Sequence, residues 1–318
     1  MRSNVRAFLG FLLLCILAPA QNQPVELQAS VTLPFRFVEY GDTRFTDPKD
    51  TEASNPEVRR ALVGAIADAH PAFITIGGDI SYRSDTADWR VWDAETQVWR
   101  DRHIPVYPVL GNHDLRGDEK TALANYFQRF PDLRNSCYYS VRAANILMFM
   151  LDSSLDETSG PQGDWLAHKL DAIPSDVDFV FLFLHHPPYT SSSNLKVFSG
   201  GHSARSSEEK MAKMLESRQP KMHARIVVFA SHVHNYERHE HAGITYFVSG
   251  GGGAHAYPVD RKPDDPFQSK EINYHYLLVE VDRSQVSVTM NRLVIANGKE
   301  RWSQPDHVSI KAATPPAK

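Results

Sequence analysis

The chain has 318 residues, of which 42% are hydrophobic, 23% charged and 10% aromatic. These are the proportions of a globular protein and exclude a disordered, collagenous or coiled-coil chain. Lys and Arg number 34 against 38 Asp and Glu, a formal charge of −4, so no global basic excess points to nucleic acid or an anionic membrane. Fifteen histidines against two cysteines point to imidazole chemistry before thiol chemistry.

Residues 1–20 read as a cleavable secretory signal peptide. Arg2 and Arg6 precede an apolar run over residues 7–17, too short to serve as a stable membrane anchor, and Ala18-Pro19-Ala20 has the small-x-small pattern of a cleavage site. Cleavage after Ala20 makes the protein secreted or periplasmic and leaves Cys137 as its only cysteine. A core or bound metal, rather than an intrachain disulfide, must then stabilise the fold. Residues 21–30 read as a leader.

From residue 35 short β-rich runs each end in a polar group. Residues 35–40 lead into Gly41-Asp42, 72–76 into Gly77-Gly78-Asp79, and 106–110 into Gly111-Asn112-His113-Asp114. Further on, 177–184 lead into His185-His186, 225–230 into Ser231-His232-Val233-His234, and 244–249 into a glycine run over 250–253. Uniformly apolar runs predict strands buried on both faces and covered by helices. Asn55-Pro56 marks a helix start, followed by Val58, Leu62, Ala65, Ile66 and Ala69 at helical spacing. Weaker helical patterns cover 121–130, 163–172 and 206–217, and hairpins are expected at 138–152 and 274–295. The Ser/Gly-rich stretch 191–205 reads as a surface loop. The fold class is therefore α/β, a single-domain sandwich of mixed sheets flanked by helices. The domain is expected over 31–300, with 301–318 as a C-terminal tail.

In open α/β sheets ligands bind at the carboxyl ends of strands. Asp42, Asp79, Asn112, His185, His232 and His234 all stand where a strand has just ended. Each alone is a turn, loop or surface residue; together they supply carboxylate, amide and imidazole donors sufficient for two hard or borderline metal ions.

The motifs Gly41-Asp42, Gly78-Asp79-Ile80-Ser81-Tyr82, Gly111-Asn112-His113-Asp114, His185-His186-Pro187 and Ser231-His232-Val233-His234 resemble those of the calcineurin-like metallophosphoesterases, and within them the purple acid phosphatases. The general pattern carries a histidine two residues after the first aspartate, where this chain has Arg44; the subfamily instead has a tyrosine three residues after the second, and Tyr82 is there. The resemblance implies a dimetal site in which Asp79 bridges both ions. Asp42, Tyr82 and His234 would complete a first site suited to Fe(III). Asn112, His185 and His232 would complete a second for divalent Fe, Zn or Mn, with a swap of His185 for His186 left open. His113, its tautomer held by Asp114, is the candidate general acid. His202, His186 and His255 are candidate substrate contacts. Arg44 reads as a surface residue, the alternative being a phosphate contact, and Ser231 replaces the family's usual glycine.

The function implied is a secreted, acid phosphatase-like enzyme that hydrolyses phosphate monoesters by direct attack of metal-bound hydroxide. A phosphodiesterase acting on cyclic nucleotides or other diesters, or a non-catalytic secreted metal- or phosphate-binding protein, are the alternatives. The expected partner is a small-molecule phosphate ester, with no nucleic acid and no stable membrane anchor.

Overall fold

The computed structural model describes residues 24–192 and 202–313. The expected signal peptide and most of the 191–205 loop lie outside the described residues. Among the described residues no helix is long and apolar enough to cross a membrane.

Two seven-stranded sheets face each other. The first contains β1 (Val25–Gln28), β5 (Tyr139–Ala143), β6 (Ile146–Met150), β7 (Phe179–Phe183), β8 (Arg225–Ala230), β10 (Ile244–Ser249) and β9 (Tyr236–His241), in that spatial order. The second runs β13 (Lys299–Ser303), β12 (Gln285–Ala296), β11 (Tyr274–Val281), β2 (Phe35–Tyr40), β3 (Ile74–Ile76), β4 (Val106–Pro108), with β14 (His307–Lys311) beside β12. Parallel β6–β7–β8–β10 form the centre of the first sheet, and parallel β2–β3–β4 one side of the second, with β4 at its edge.

Strand β7 shows why its sequence is apolar throughout. Phe181 and Phe183 face the second sheet, where the Phe37 ring of β2 lies 6.1 and 6.4 Å away. Val180 and Leu182 point the opposite way, into a cluster with Leu166, Leu170, Met211 and Leu215. Those last four belong to α5 (Gly160–Asp171) and α6 (Ser206–Arg218). Between the sheets Phe183 stacks on Phe229 at 4.9 Å and Phe229 on Phe247 at 5.1 Å, offset aromatic pairs worth roughly 1 kcal/mol each beyond their burial. On the outer face of the second sheet, α1 (Pro56–Asp68) packs on β11 and β12. It starts where expected: Asn55 Oδ1 accepts from Glu57 and Val58 N–H, a cap worth about 1 kcal/mol.

Several bounds differ from expectation. The domain starts earlier than residue 31, because β1 pairs in parallel with β5 from Val25. It ends later than 300, because β13 and β14 both pair with β12, up to Lys311. These end strands lie on the sheet periphery with β13 exposed throughout, so the polar segment Lys299–Ser303 carries no apolar signal. Helices α2 (Thr86–Glu95), α3 (Gln97–Asp101) and α4 (Glu119–Arg129) fill the connections around β3 and β4.

Candidate dimetal active site

The carboxyl ends of β2, β3, β4, β7 and β8 converge on one rim. Getting the side chains there requires unusual backbone. Asp42, Arg44, Asp79 and His232 have φ of 55°, 45°, 52° and 69°, a left-handed conformation that is strained for residues with a Cβ and concentrates at functional sites. The strand ends also pack too closely for side chains on the intervening glycines. A Cβ on Gly111 would lie 2.2 Å from Asp79 N, and one on Gly250 would lie 2.5 Å from Asp42 Oδ2. The glycine run after β10 thus lets the chain pass directly against the site. Ser231 is fully buried and donates to the Ser249 carbonyl at 3.1 Å. Its hydroxyl occupies the space that a Cβ on Gly41 or Gly77 would need, 2.1 and 2.0 Å away.

The first donor group is built around His185. Its Nδ1 lies 2.8 Å from the Gly77 carbonyl, which can only accept, so Nδ1 carries the proton and Nε2 presents a lone pair. That Nε2 faces Asn112 Oδ1 and His232 Nδ1, both at 3.1 Å, and Asp79 Oδ1 at 3.4 Å. Two of these three atoms are oxygens with no proton to give, so with the Nε2 lone pair they make a donor set that a cation can share. His186 is adjacent, its ring 4.4 Å from that of His232 and its Nδ1 2.8 Å from Ser153 Oγ. His185, His186 and His232 form one metal-capable group, and Asp42, Asp79 and His185 a second.

The other donor group pairs Asp42 with His234. The Nδ1 of His234 donates to the His255 carbonyl at 2.8 Å, leaving the Nε2 lone pair 3.5 Å from Asp42 Oδ1. Both atoms are buried without a hydrogen-bond partner among the described residues, while Asp42 Oδ2 accepts from His232 N–H at 2.7 Å. Two orphaned, electron-rich buried atoms aimed at each other fit a cation. The carboxyl of Asp42 is raised well above the usual range by burial and by the Asp79 charge. Burial would raise Asp79 too, but His185, Arg44, His113 and the His113 N–H hold it well below that range.

Arg44 is not the surface residue expected. Its guanidinium side chain is 13% exposed and grips Asp79 Oδ2 through Nη2 at 3.1 Å and Nε at 3.3 Å. The side chain takes this place because the left-handed turn at Arg44 folds it back over β3.

His113 Nδ1 is 2.8 Å from the Tyr82 carbonyl, so Nε2 faces Asp79 Oδ2 at 3.8 Å. The tautomer is therefore set by that carbonyl and not by Asp114. Asp114 instead accepts from the N–H groups of Ile80, Ser81 and Gly111, tying the loops after β3 and β4 together. Burial lowers His113 to about 4 and raises Asp114 to about 7. The Tyr82 ring stacks on His113 at 5.2 Å and sits among Arg83, Arg116 and Arg44, whose guanidinium carbons are 4.7, 5.2 and 6.0 Å from its centroid.

His202 stacks on His232 at 4.9 Å, with its Nδ1 3.1 Å from the His232 carbonyl and 2.8 Å from the Tyr257 hydroxyl. His255 contributes through its carbonyl; its side chain is exposed. Tyr257, unsuspected from sequence, also accepts from His234 N–H at 3.2 Å. It sits in an irregular segment without periodicity, so nothing in the sequence marked it.

The calcineurin-like phosphoesterase profile matches residues 35–236, which contain every donor described above. The chain belongs to the calcineurin-like phosphoesterases. A probable cyclic nucleotide phosphodiesterase of Fibrobacter succinogenes is 29% identical over 116 residues, spanning 36% of this chain and 41% of that protein. Among solved structures, purple acid phosphatase from yellow lupin (Lupinus luteus) seeds superposes with a TM-score of 0.66 at 15% identity, over 89% of this chain and 55% of that one. PhoD gives 0.64 at 11% identity, over 90% and 71%. The chain thus spans about half the length of the lupin enzyme and less of the bacterial relative, and the structural likenesses define the fold. A metal-dependent phosphoester hydrolase is what this family and this His/Asp cluster imply.

Proposed function

We propose that the protein is an acid phosphatase-like hydrolase of phosphate monoesters, exported as a secreted or periplasmic enzyme. The observation that carries the monoester reading is the Arg44 guanidinium, held on Asp79 between the two donor groups. A monoester dianion presents more charge than a diester, and a planar guanidinium fork matches two of its terminal oxygens.

Asp79 would be shared by two cations, with Asp42, His234 and Tyr82 on one side and Asn112, His185 and His232 on the other. The hard carboxylate and phenolate donors of the first group suit Fe(III), and the imidazole-rich second group a divalent Fe, Zn or Mn ion. Such ions supply Lewis acidity toward the phosphoryl oxygens and acidify water. Arg44 orients the phosphoryl group once Asp79 is engaged by the ions. The Tyr82 carbonyl keeps the proton on His113 Nδ1, so a second proton at Nε2 is the one delivered to the departing alkoxide oxygen. His202 packs against His232 at the rim of the site.

The likeness to a cyclic nucleotide phosphodiesterase supports a diester reading as the alternative. Rates on p-nitrophenyl phosphate and bis(p-nitrophenyl) phosphate, measured side by side with the metal-loaded protein, separate the two. A kcat/KM at least about tenfold higher on the monoester is expected; a preference for the diester overturns the reading.

A further inference from the structure

The turn that aims Arg44 at Asp79 is held from beneath by a second arginine. Arg59 lies near the start of α1 and is completely buried. A buried guanidinium is tolerated when its charge is paired and its five N–H donors all find acceptors. Those of Arg59 do. Nε and Nη2 donate to the two carboxylate oxygens of Glu95, the last residue of α2, at 2.7 and 3.0 Å. Nη2 also donates to the Thr46 carbonyl at 3.3 Å. Nη1 donates to the Arg44 carbonyl at 3.3 Å and to the Ser54 hydroxyl at 2.7 Å.

The two carbonyls flank one residue, Phe45, whose ring lies 4.9 Å from the guanidinium carbon. Arg59 therefore fixes the peptide planes on both sides of Phe45, directly after the chain turns left-handed at Arg44 with φ of 45°. The opposite side of the same turn is tied to the loop after β3. There Arg44 N–H donates to the Asp79 carbonyl at 2.9 Å, and Phe45 N–H to the Ile80 carbonyl at 2.7 Å. A strained backbone of this kind persists only where its surroundings over-determine it. Glu95 grips Arg59 through both oxygens, the arrangement that gives guanidinium–carboxylate pairs their directionality. All five donors are engaged, so none is left over for a substrate.

We propose that Arg59, steered by Glu95, is the positioning residue for Arg44: it sets the turn that lays the Arg44 guanidinium on Asp79. Its effect on phosphate and metal affinity then passes entirely through Arg44. The phosphate part rests on the reading of Arg44 as a phosphoryl contact given above; the metal part rests only on the Arg44–Asp79 contact.

The test uses the full chain carrying Arg59→Lys, whose single ammonium can pair with Glu95 but cannot also span both carbonyls. In the metal-loaded protein, KM for p-nitrophenyl phosphate should rise about fivefold with kcat within about twofold of wild type. In chelator competition the apparent metal affinity should rise, as it should in Arg44→Ala, because Asp79 is released from its guanidinium. A fold that had merely loosened would lose metal affinity instead. In an Arg44→Ala background, Arg59→Lys should change either quantity by less than about twofold. Glu95→Gln, which keeps one acceptor, should shift both in the same directions by less, and gives the reading if Arg59→Lys does not fold. Three results overturn the positioning role: a metal-affinity shift opposite to that of Arg44→Ala, equal effects of Arg59→Lys with and without the Arg44 side chain, or no shift in either variant. An unchanged KM in Arg44→Ala, with the shared rise in metal affinity intact, would fault the phosphoryl contact and leave the positioning role standing.

Discussion

The two halves of the site are prepared to different degrees. Around His185 three polar atoms from three strand ends already lie within 3.1–3.4 Å of Nε2, and the His185 ring is fixed by the Gly77 carbonyl. Around Asp42 and His234 only two donors face each other, at 3.5 Å. The expected third, Tyr82, has its ring engaged with His113 and the arginines. A permanent cation, Arg44, stands on the aspartate between the halves. The lesson is that sheet geometry alone can assemble an imidazole-rich site, because parallel strands end together. A site that borrows a donor from a loop is assembled less completely, and a guanidinium supplies charge in the meantime.

Breaking the shared element should have the largest effect. Asp79→Asn removes the carboxylate both halves use. Turnover is expected to fall by about 10³-fold or more, with metal content by elemental analysis below that of wild type and the circular dichroism spectrum unchanged. A variant that kept full metal and activity would show that the halves are independent.

His113→Ala probes the approach side, removing a ring that stacks on Tyr82 and faces Asp79 but is not itself one of the donors. Turnover on alkyl phosphates, which have poor leaving groups, should drop about 100-fold, while metal content stays constant. Equal rates on poor leaving groups would remove the proton-donor role.

Arg44→Ala sharpens the asymmetry. KM for p-nitrophenyl phosphate should rise about tenfold, and the apparent metal affinity, read by competition with a chelator, should rise rather than fall, because the carboxylate is freed. A fall in affinity would mean that Arg44 scaffolds Asp79 instead of competing for it.

The smallest effect concerns stability behind the His185 half. There His186 contacts Ser153, whose carbonyl accepts from Arg205, which pairs with buried Glu208 beside buried Glu157. Burial and the Glu208 charge push Glu157 up to about 8. The folded state therefore holds a proton that the unfolded chain loses above about 4.5, and stability declines as pH rises from there toward 8. Glu157→Gln should abolish that decline, giving roughly 1–3 kcal/mol at pH 8 and little at pH 4. Melting temperatures across this range, with metal content unchanged, check it.

Much of this was legible in sequence for a physical reason. Strands buried on both faces must be apolar throughout, so the polar residue that ends each one stands out: Asp42, Asp79, Asn112, His185 and His232 were all visible that way. The positions set by loops were less so. Arg44 looked like a surface residue because its contact depends on a left-handed turn that no periodicity announces. Asp114 reads as a partner of the adjacent histidine, yet backbone N–H groups from two loops claim it. Strands β1, β13 and β14 escaped notice because a short peripheral strand needs only backbone pairing, and α2 and α3 because their Trp89, Trp92 and Trp99 lie between two motifs that drew attention to their loops.

The Ser231 hydroxyl wedged between Gly41 and Gly77 constrains more than the present shape. Alanine at 41 cannot coexist with serine at 231, whose Oγ would lie 2.1 Å from the new methyl. With glycine at 231 the nearest obstacle becomes the Gly77 Cα at 3.2 Å, a clash that small shifts can relieve. The effect of a substitution at 41 therefore depends on which residue stands at 231, and the route between sequences is ordered: position 231 must shrink before position 41 can grow. The departure at 231 is thus an epistatic lock on the strand end that carries Asp42.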